Sequence, residues 1–118
     1  MSKVFIAYKS DIKEGQAKGF DPLNQGSNSL FIVHKNGEYY AYKDICPHYG
    51  DTTLPWKKDK YLNSDNEQIV CAAHGALFEI STGICIQGPC KNQALTNIEL
   101  DVHLENEIWV DLTTIKEF

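Results

Sequence analysis

The 118-residue sequence contains no arginine. Its 11 basic residues are all lysines, they face 16 acidic residues, and the formal net charge is −5. Because nucleic-acid phosphates are bound by clustered lysines and arginines, this balance argues against a nucleic-acid partner. The longest purely apolar runs, such as Phe31 to Val33, are only a few residues long. No segment is therefore predicted to span a membrane or to act as a secretory signal, and we expect a cytoplasmic protein.

The sequence also lacks a sustained helical stripe, and we predict an all-β chain that folds as one domain over residues 1–118. Asn36-Gly37 favours a type I′ turn and predicts a hairpin between flanking strands. The predicted strands are Lys3 to Tyr8, Ser29 to Lys35, Glu38 to Lys43, Gln68 to Val70, Leu77 to Ile80, Ile84 to Ile86, Ile98 to Leu104 and Ile108 to Leu112. Gly15 to Asn28 and Asp51 to Asn66 have no clean period and are predicted to be loops.

Four cysteines in a chain expected inside the cell indicate metal ligands or reactive thiols before disulfides. Cys46 and Cys71 each have a histidine close by in the sequence, whereas Cys85 and Cys90 have none within four residues. We therefore predict that Cys85 and Cys90 are buried thiols that pack as small apolar side chains.

Two short segments each combine a thiol with an imidazole. They are Cys46-Pro47-His48 and Cys71-Ala72-Ala73-His74, and 22 residues separate them. Thiolates and imidazoles are ligands for zinc and for iron. The predicted metal ligands are Cys46, His48, Cys71 and His74.

The order of these ligands distinguishes two candidate metal sites. In structural zinc sites the two Cys lie close together in the sequence, and so do the two His. In a Rieske [2Fe–2S] centre two Cys hold one iron and two His hold the other, so a Cys–His pair in each of two loops suits the cluster. Gly50 and Gly75 would let the backbone approach such a cluster closely. Zinc remains the alternative for this ligand set.

On these two segments, together with Pro47, Phe78 and Ser81-Thr82-Gly83, the sequence resembles small soluble Rieske ferredoxins. The resemblance implies an antiparallel β base with an inserted cluster-binding subdomain at about residues 44–89. It also implies one [2Fe–2S] cluster as cofactor. In that family the two cysteines would hold the inner iron, and His48 and His74 would hold the outer iron, nearer the surface.

The resemblance further indicates a cluster of low reduction potential. High-potential Rieske proteins have a disulfide that joins the two ligand loops, at positions occupied here by Asp51 and Ala73. They also have a Ser and a Tyr hydroxyl bonded to cluster sulfurs, where this chain has Ala76 and Phe78. Fewer hydrogen-bond donors stabilise the reduced cluster less, so the potential falls.

The function implied is that of a soluble one-electron carrier rather than an enzyme. Its partners would be a reductase and a terminal oxygenase or reductase, and the carrier alone is expected to be a monomer. The alternative is a small Rieske-like subunit of a larger reductase, of the nitrite reductase small-subunit type.

Several other residues with metal-binding or redox potential are predicted to be structural. His34 lies beside the hairpin turn and is expected to be a surface or packed residue, and His103 is expected to face solvent. The aromatic residues are predicted to be half-buried on a β surface rather than part of an electron relay. They are Tyr39, Tyr40, Tyr42, Trp56 and Tyr61.

Overall fold

The structure is a computed structural model that describes residues 3–21, 30–44, 61–63, 67–71, 76–88, 93–102 and 106–111, with only the backbone of Cys71 and Asp111. These residues form nine β-strands and one 3-10 turn at Lys9–Asp11. The strands are β1 Lys3–Tyr8, β2 Gln16–Phe20, β3 Leu30–Lys35, β4 Glu38–Lys43, β5 Gln68–Cys71, β6 Ala76–Glu79, β7 Cys85–Gln87, β8 Leu100–Val102 and β9 Glu107–Asp111. The all-β prediction is confirmed. Within the described ranges, no helix is long and apolar enough to cross a lipid bilayer.

The strands form three antiparallel sheets of three strands each. The first sheet has the order β1-β9-β8, the second β2-β3-β4 and the third β5-β6-β7. β1 and β9 pair from opposite ends of the described chain, with Lys3 opposite Asp111 and Tyr8 opposite Glu107.

The second sheet lies between two hydrophobic clusters, and its central strand β3 is buried on both faces over residues 30–33. Successive side chains of a strand point to opposite faces, so a strand covered on both sides is apolar at every position. In β3, Phe31 and Val33 belong to a cluster with the third sheet, whereas Leu30 and Ile32 belong to a cluster with β9 of the first sheet. The apolar run in the sequence therefore marks the middle layer.

The β3–β4 hairpin turns at Asn36 and Gly37, as predicted. Their φ angles are 54° and 79°, and positive φ at both central residues is the requirement of a type I′ turn. The Glu14 carboxylate caps this turn by accepting hydrogen bonds from the amides of Asn36 at 2.6 Å and Gly37 at 2.9 Å. These bonds are the main reason why the pKa of Glu14 is lowered from its usual 4.5.

His34 is packed beside the same turn. Its Nδ1 lies 2.9 Å from the Ile12 carbonyl oxygen, its ring stacks on Tyr39 at 4.1 Å, and its Nε2 lies 3.5 Å from a Glu14 carboxylate oxygen. The structural role predicted for His34 agrees with these contacts. His103 lies outside the described residues.

Two predicted loops contain extended segments instead. Gln16–Phe20, inside the predicted loop from Gly15 to Asn28, forms β2 and pairs with β3. This pairing satisfies the backbone hydrogen-bonding groups on that edge of β3. Tyr61 to Asn63, at the end of the predicted loop from Asp51 to Asn66, lies beside β5, with Leu62 bridged to Ile69. Pairing with a neighbouring strand satisfies the backbone hydrogen-bonding groups of both segments, and the periodicity of the sequence does not reveal this pairing.

Candidate iron–sulfur site

The second Cys–His segment begins at the end of β5. In the β5–β6 hairpin Cys71 is opposite Ala76, so residues 72–75 are the four-residue connection between paired strands. His74 belongs to that connection. His74 is therefore two residues before Ala76, the strand residue paired with Cys71.

The first Cys–His segment follows β4. β4 ends at Lys43, whose amide donates a hydrogen bond of 2.9 Å to the Thr96 carbonyl oxygen. Asp44 comes next and is buried, with 2% of its surface exposed. Cys46 and His48 are two and four residues further along the chain.

Tyr61 connects the approaches to the two segments. Its hydroxyl donates a hydrogen bond of 2.7 Å to Asp44 Oδ2. Its carbonyl oxygen accepts one of 2.8 Å from the amide of Val70, which immediately precedes Cys71. Tyr61 therefore contacts the chain shortly before each of the two segments.

Gly88 packs against Ala76, the first residue of β6, and Ala76 directly follows the 72–75 connection. Its φ is +107°, and a Cβ at this position would be 2.8 Å from the Ala76 Cα and 3.0 Å from the Ala76 Cβ. A glycine next to a small residue thus permits a close backbone approach beside the second Cys–His segment.

The predicted ligands themselves are placed only in part. Cys46, His48 and His74 lie outside the described residues, and Cys71 is described by its backbone alone, at the last position of β5. The ligand assignment therefore stays a prediction. Asp51 and Ala73 also lie outside the described residues, whereas Ala76 and Phe78 are buried on one face of β6.

The burial predicted for the other thiols and the aromatic residues is confirmed for some of them and wrong for others. Cys85 is buried at 2% exposure, as predicted, and its Sγ lies 3.4 Å from the Gln87 carbonyl oxygen. Cys90 lies outside the described residues. Tyr39 and Tyr40 are half-buried, but the prediction is wrong for Tyr42 and Tyr61, which are 1% and 0% exposed. Both have hydroxyl partners inside the core, which makes full burial acceptable.

The hydroxyl of Tyr42 donates a hydrogen bond of 2.6 Å to the Ile80 carbonyl oxygen. Burial is the main cause that raises the pKa of Tyr42 from 10.0 to about 12, with smaller contributions from Tyr40 and Glu79. Ile80 follows β6 at the end away from the 72–75 connection. Tyr42 thus joins the second sheet to the far end of the third.

The described backbone fits a group held by two loops. A [2Fe–2S] cluster with two Cys and two His ligands needs a Cys–His pair from each of two adjacent loops and little side-chain bulk around them. Tyr61 is hydrogen-bonded both to Asp44 and to Val70, which precede the two segments, and Gly88 on Ala76 supplies small residues. Cys46, His48, Cys71 and His74 are the donor set that this arrangement would present.

Sequence reasoning missed Tyr61 and Asp44. A signal was present, because Tyr61-Leu62 and Ile69-Val70 are apolar pairs separated by the polar run Asn63 to Gln68, a pattern typical of a hairpin. The partner of Asp44 could not be identified in this way, because a buried carboxylate on a loop has no periodic signature.

Comparisons with known proteins give the family of this chain. The sequence matches the model of the Rieske [2Fe-2S] domain over residues 2–110. It is 32% identical over 78 residues to apoptosis-inducing factor 3 of Homo sapiens, which is 66% of this chain and 11% of that protein. It is 35% identical over 65 residues to the ferredoxin component of the p-cumate 2,3-dioxygenase system of Pseudomonas putida, which is 55% of this chain and 51% of that protein.

A solved structure with a similar fold is a complex of reduced oxygenase and oxidized ferredoxin in carbazole 1,9a-dioxygenase. The TM-score is 0.70, the sequence identity is 26%, and the alignment covers 92% of both chains. The Rieske-type fold and one [2Fe–2S] cluster follow from the family match. The two Cys–His segments, the three antiparallel sheets and a match over residues 2–110 together place this chain in the Rieske [2Fe-2S] domain family.

Proposed function

We propose that the protein is a one-electron carrier that takes electrons from a reductase and passes them to a terminal oxidoreductase such as an oxygenase. The observation that carries this proposal is that Tyr61 is hydrogen-bonded to both Asp44 and Val70, the residues that shortly precede Cys46 and Cys71, which supports one cluster held by both segments. A bound [2Fe–2S] cluster accepts and releases one electron. The polypeptide holds that group and presents it to partners, and catalysis belongs to the partners.

The ligands in this proposal are Cys46, His48, Cys71 and His74. Cys46 and Cys71 would hold one iron as thiolates, and His48 and His74 would hold the other through one ring nitrogen each. Cluster-binding residues would then lie within the proposed subdomain at about residues 44–89. The third sheet, from Gln68 to Gln87, falls inside that range.

The partner class is supported by related proteins. One relative is the ferredoxin component of a dioxygenase system, and one similar structure is a complex of an oxygenase with its ferredoxin. The chain spans about a tenth of apoptosis-inducing factor 3 and about half of the p-cumate ferredoxin component. An oxygenase is therefore the first partner to test.

The low potential is part of the proposal. Ala76 and Phe78 supply no hydroxyl donors, and Phe78 is fully buried among apolar side chains. We place the potential toward the lower end of the Rieske range of about −150 to +300 mV. Redox titration followed by EPR measures it, and a value in the upper half of that range would contradict this part of the proposal.

Ligand variants test the cluster directly. Cys46→Ser and Cys71→Ser are each expected to lose the visible absorbance and the reduced-state EPR signal of the purified protein, because a thiolate ligand is removed. The matched control is Cys85→Ser, since Cys85 is buried but lies outside the proposed ligand set. It is expected to keep both signals. A zinc content with no iron in the wild type, or loss of the cluster in all three variants, would contradict the ligand assignment.

A cytoplasmic location and a monomeric carrier complete the proposal. Cys85 is a buried thiol, which agrees with a reducing compartment. Cell fractionation and light scattering test the two statements. Recovery with membranes, or only as part of a large complex, would contradict them.

A further inference from the structure

Tyr61 makes two hydrogen bonds to parts of the chain that are far apart in sequence. Its hydroxyl donates to Asp44 Oδ2 at 2.7 Å, and its carbonyl oxygen accepts from the Val70 amide at 2.8 Å. Asp44 is two residues before Cys46, and Val70 is one residue before Cys71. A single residue thus contacts the chain just upstream of both cysteines.

The position of Tyr61 is fixed by the core. It is fully buried, and its ring stacks on Phe31 with a centroid distance of 4.2 Å and an interplanar angle of 10°. The next residue, Leu62, is bridged to Ile69 of β5. Phe31 is in the middle strand of the second sheet, so the hydroxyl projects from a rigid support.

Asp44 depends on this hydroxyl more than an exposed carboxylate would. Only 2% of Asp44 is exposed, and a buried carboxylate is costly unless it is hydrogen-bonded. Removal of one donor leaves the carboxylate under-solvated and favours its movement toward water. Such a movement would carry the following residues, including Cys46, with it.

From these contacts we propose that Tyr61 is a positioning residue for the iron–sulfur cluster. It holds the start of the first ligand loop against the end of β5, so that the two Cys–His segments keep one relative position. The inference rests on the proposed ligand set. In this inference, the hydrogen bond from Tyr61 to Asp44 keeps the two loops together.

The test compares two tyrosine-to-phenylalanine variants of the holo-protein. Tyr61→Phe keeps the ring on Phe31 and removes only the hydroxyl. Tyr42→Phe is the matched control, because Tyr42 is equally buried and its hydroxyl bonds to Ile80, at the far end of β6. The readouts are the rate of cluster loss to a chelator, the EPR spectrum of the reduced protein and the midpoint potential.

We expect Tyr61→Phe to lose its cluster at least about tenfold faster than the wild type, as for a lost hydrogen bond to a charged group. We also expect changed EPR g-values and a shifted midpoint potential. Tyr42→Phe is expected to keep the wild-type spectrum and potential and to lose its cluster at nearly the wild-type rate. If both variants behave alike in all three measurements, Tyr61 is only a core residue and the inference is wrong.

A double-mutant cycle with Asp44→Ala identifies the partner. If Tyr61 acts through Asp44, Tyr61→Phe adds little to the rate of cluster loss in the Asp44→Ala background. Additive effects would overturn the assignment to Asp44. A wild-type protein without a [2Fe–2S] signal would instead overturn the proposed function, so the two failures are distinguishable.

Discussion

At the scale of single residues, the glycines show how the same backbone angle has different consequences in different surroundings. Gly15 and Gly88 both have positive φ, at 81° and 107°. A Cβ on Gly15 would meet nothing within 4 Å, whereas a Cβ on Gly88 would overlap the backbone of Ala76. Of these two glycines, Gly88 is the one that combines backbone strain with a steric conflict, and it does so beside the second Cys–His segment.

Gly88→Ala is therefore expected to be more destabilising than Gly15→Ala. In the control, Gly15→Ala, a residue with a Cβ is placed at positive φ, which costs about 1–2 kcal/mol. Gly88→Ala adds a clash with backbone, worth roughly another 1–3 kcal/mol. Urea unfolding of both variants measures the difference, and iron content after purification shows whether the cluster is affected. Equal destabilisation by the two substitutions would contradict the close approach of Gly88 to Ala76.

At the scale of elements, the β3–β4 hairpin is held by its turn and by a residue from outside it. The Asn36-Gly37 pair sets the turn type, and the Glu14 carboxylate accepts hydrogen bonds from both turn amides. Since β4 leads into the first Cys–His segment, the hairpin register also fixes where that segment begins.

Glu14→Gln is expected to change the pH dependence of stability. The pKa of Glu14 is lower in the folded protein than the usual 4.5. Its carboxylate therefore stabilises the fold above about pH 4.5, and this contribution is lost as the pH falls through the folded-state pKa. The thermal midpoint of the wild type should exceed that of Glu14→Gln at pH 7, and the gap should narrow toward pH 3.5.

The control for this comparison is Glu38→Gln, which removes one negative charge from the same hairpin. It is expected to lower the thermal midpoint at pH 7 less than Glu14→Gln does, because the turn keeps its carboxylate cap. A gap between wild type and Glu14→Gln that is constant from pH 7 to pH 3.5 would argue against the carboxylate cap.

At the scale of the whole molecule, the second sheet acts as the middle layer to which the other two attach. Its β3 supplies side chains to both hydrophobic clusters, and Tyr42 of β4 reaches across to the Ile80 carbonyl oxygen beyond β6. The third sheet is thus joined to the middle layer at both ends, through Tyr42 at one and through Tyr61 on Phe31 at the other.

Ionisation of Tyr42 is expected to lower the stability of the wild type at alkaline pH. Tyr42→Phe cannot show this loss, because it has no hydroxyl at this position. Its folded-state pKa is about 12, raised from 10.0 mainly by burial. Tyr42 therefore contributes fully below pH 10, and its contribution falls as the pH rises toward 12, because only the unfolded state ionises in that window. The difference in unfolding free energy between wild type and Tyr42→Phe should shrink by roughly 1 kcal/mol per pH unit above pH 10.

Urea unfolding at pH 9, 10 and 11 measures this difference. The other tyrosines are common to both proteins, so their ionisation cancels. A difference that stays constant over this range would show that the Tyr42 hydroxyl ionises as readily in the folded state as in the unfolded state.

The strands that the sequence predicted well are those with a local signal. Asn36-Gly37 located the hairpin, and the alternating or continuous apolar runs located β1, β3, β5 and β9 to within one or two residues. β2 and the segment beside β5 were missed, because Gln16–Phe20 and Tyr61 to Asn63 are extended only through pairing with a neighbour. No local sequence signal records the pairing of β2 with β3, whereas the bridge between Leu62 and Ile69 joins residues close in the chain and has the hairpin pattern described above.

The candidate site, too, was predicted from the sequence only in part. The identity and spacing of two thiols and two imidazoles are written in the sequence, and they were enough to indicate a Rieske [2Fe–2S] family member, since ligand chemistry depends on residue type. The tertiary structure decided that Tyr61 bonds to both Asp44 and Val70 and that Gly88 packs on Ala76. These contacts join residues distant in the chain, and they exist only because burial of the three-layer core brings the layers together.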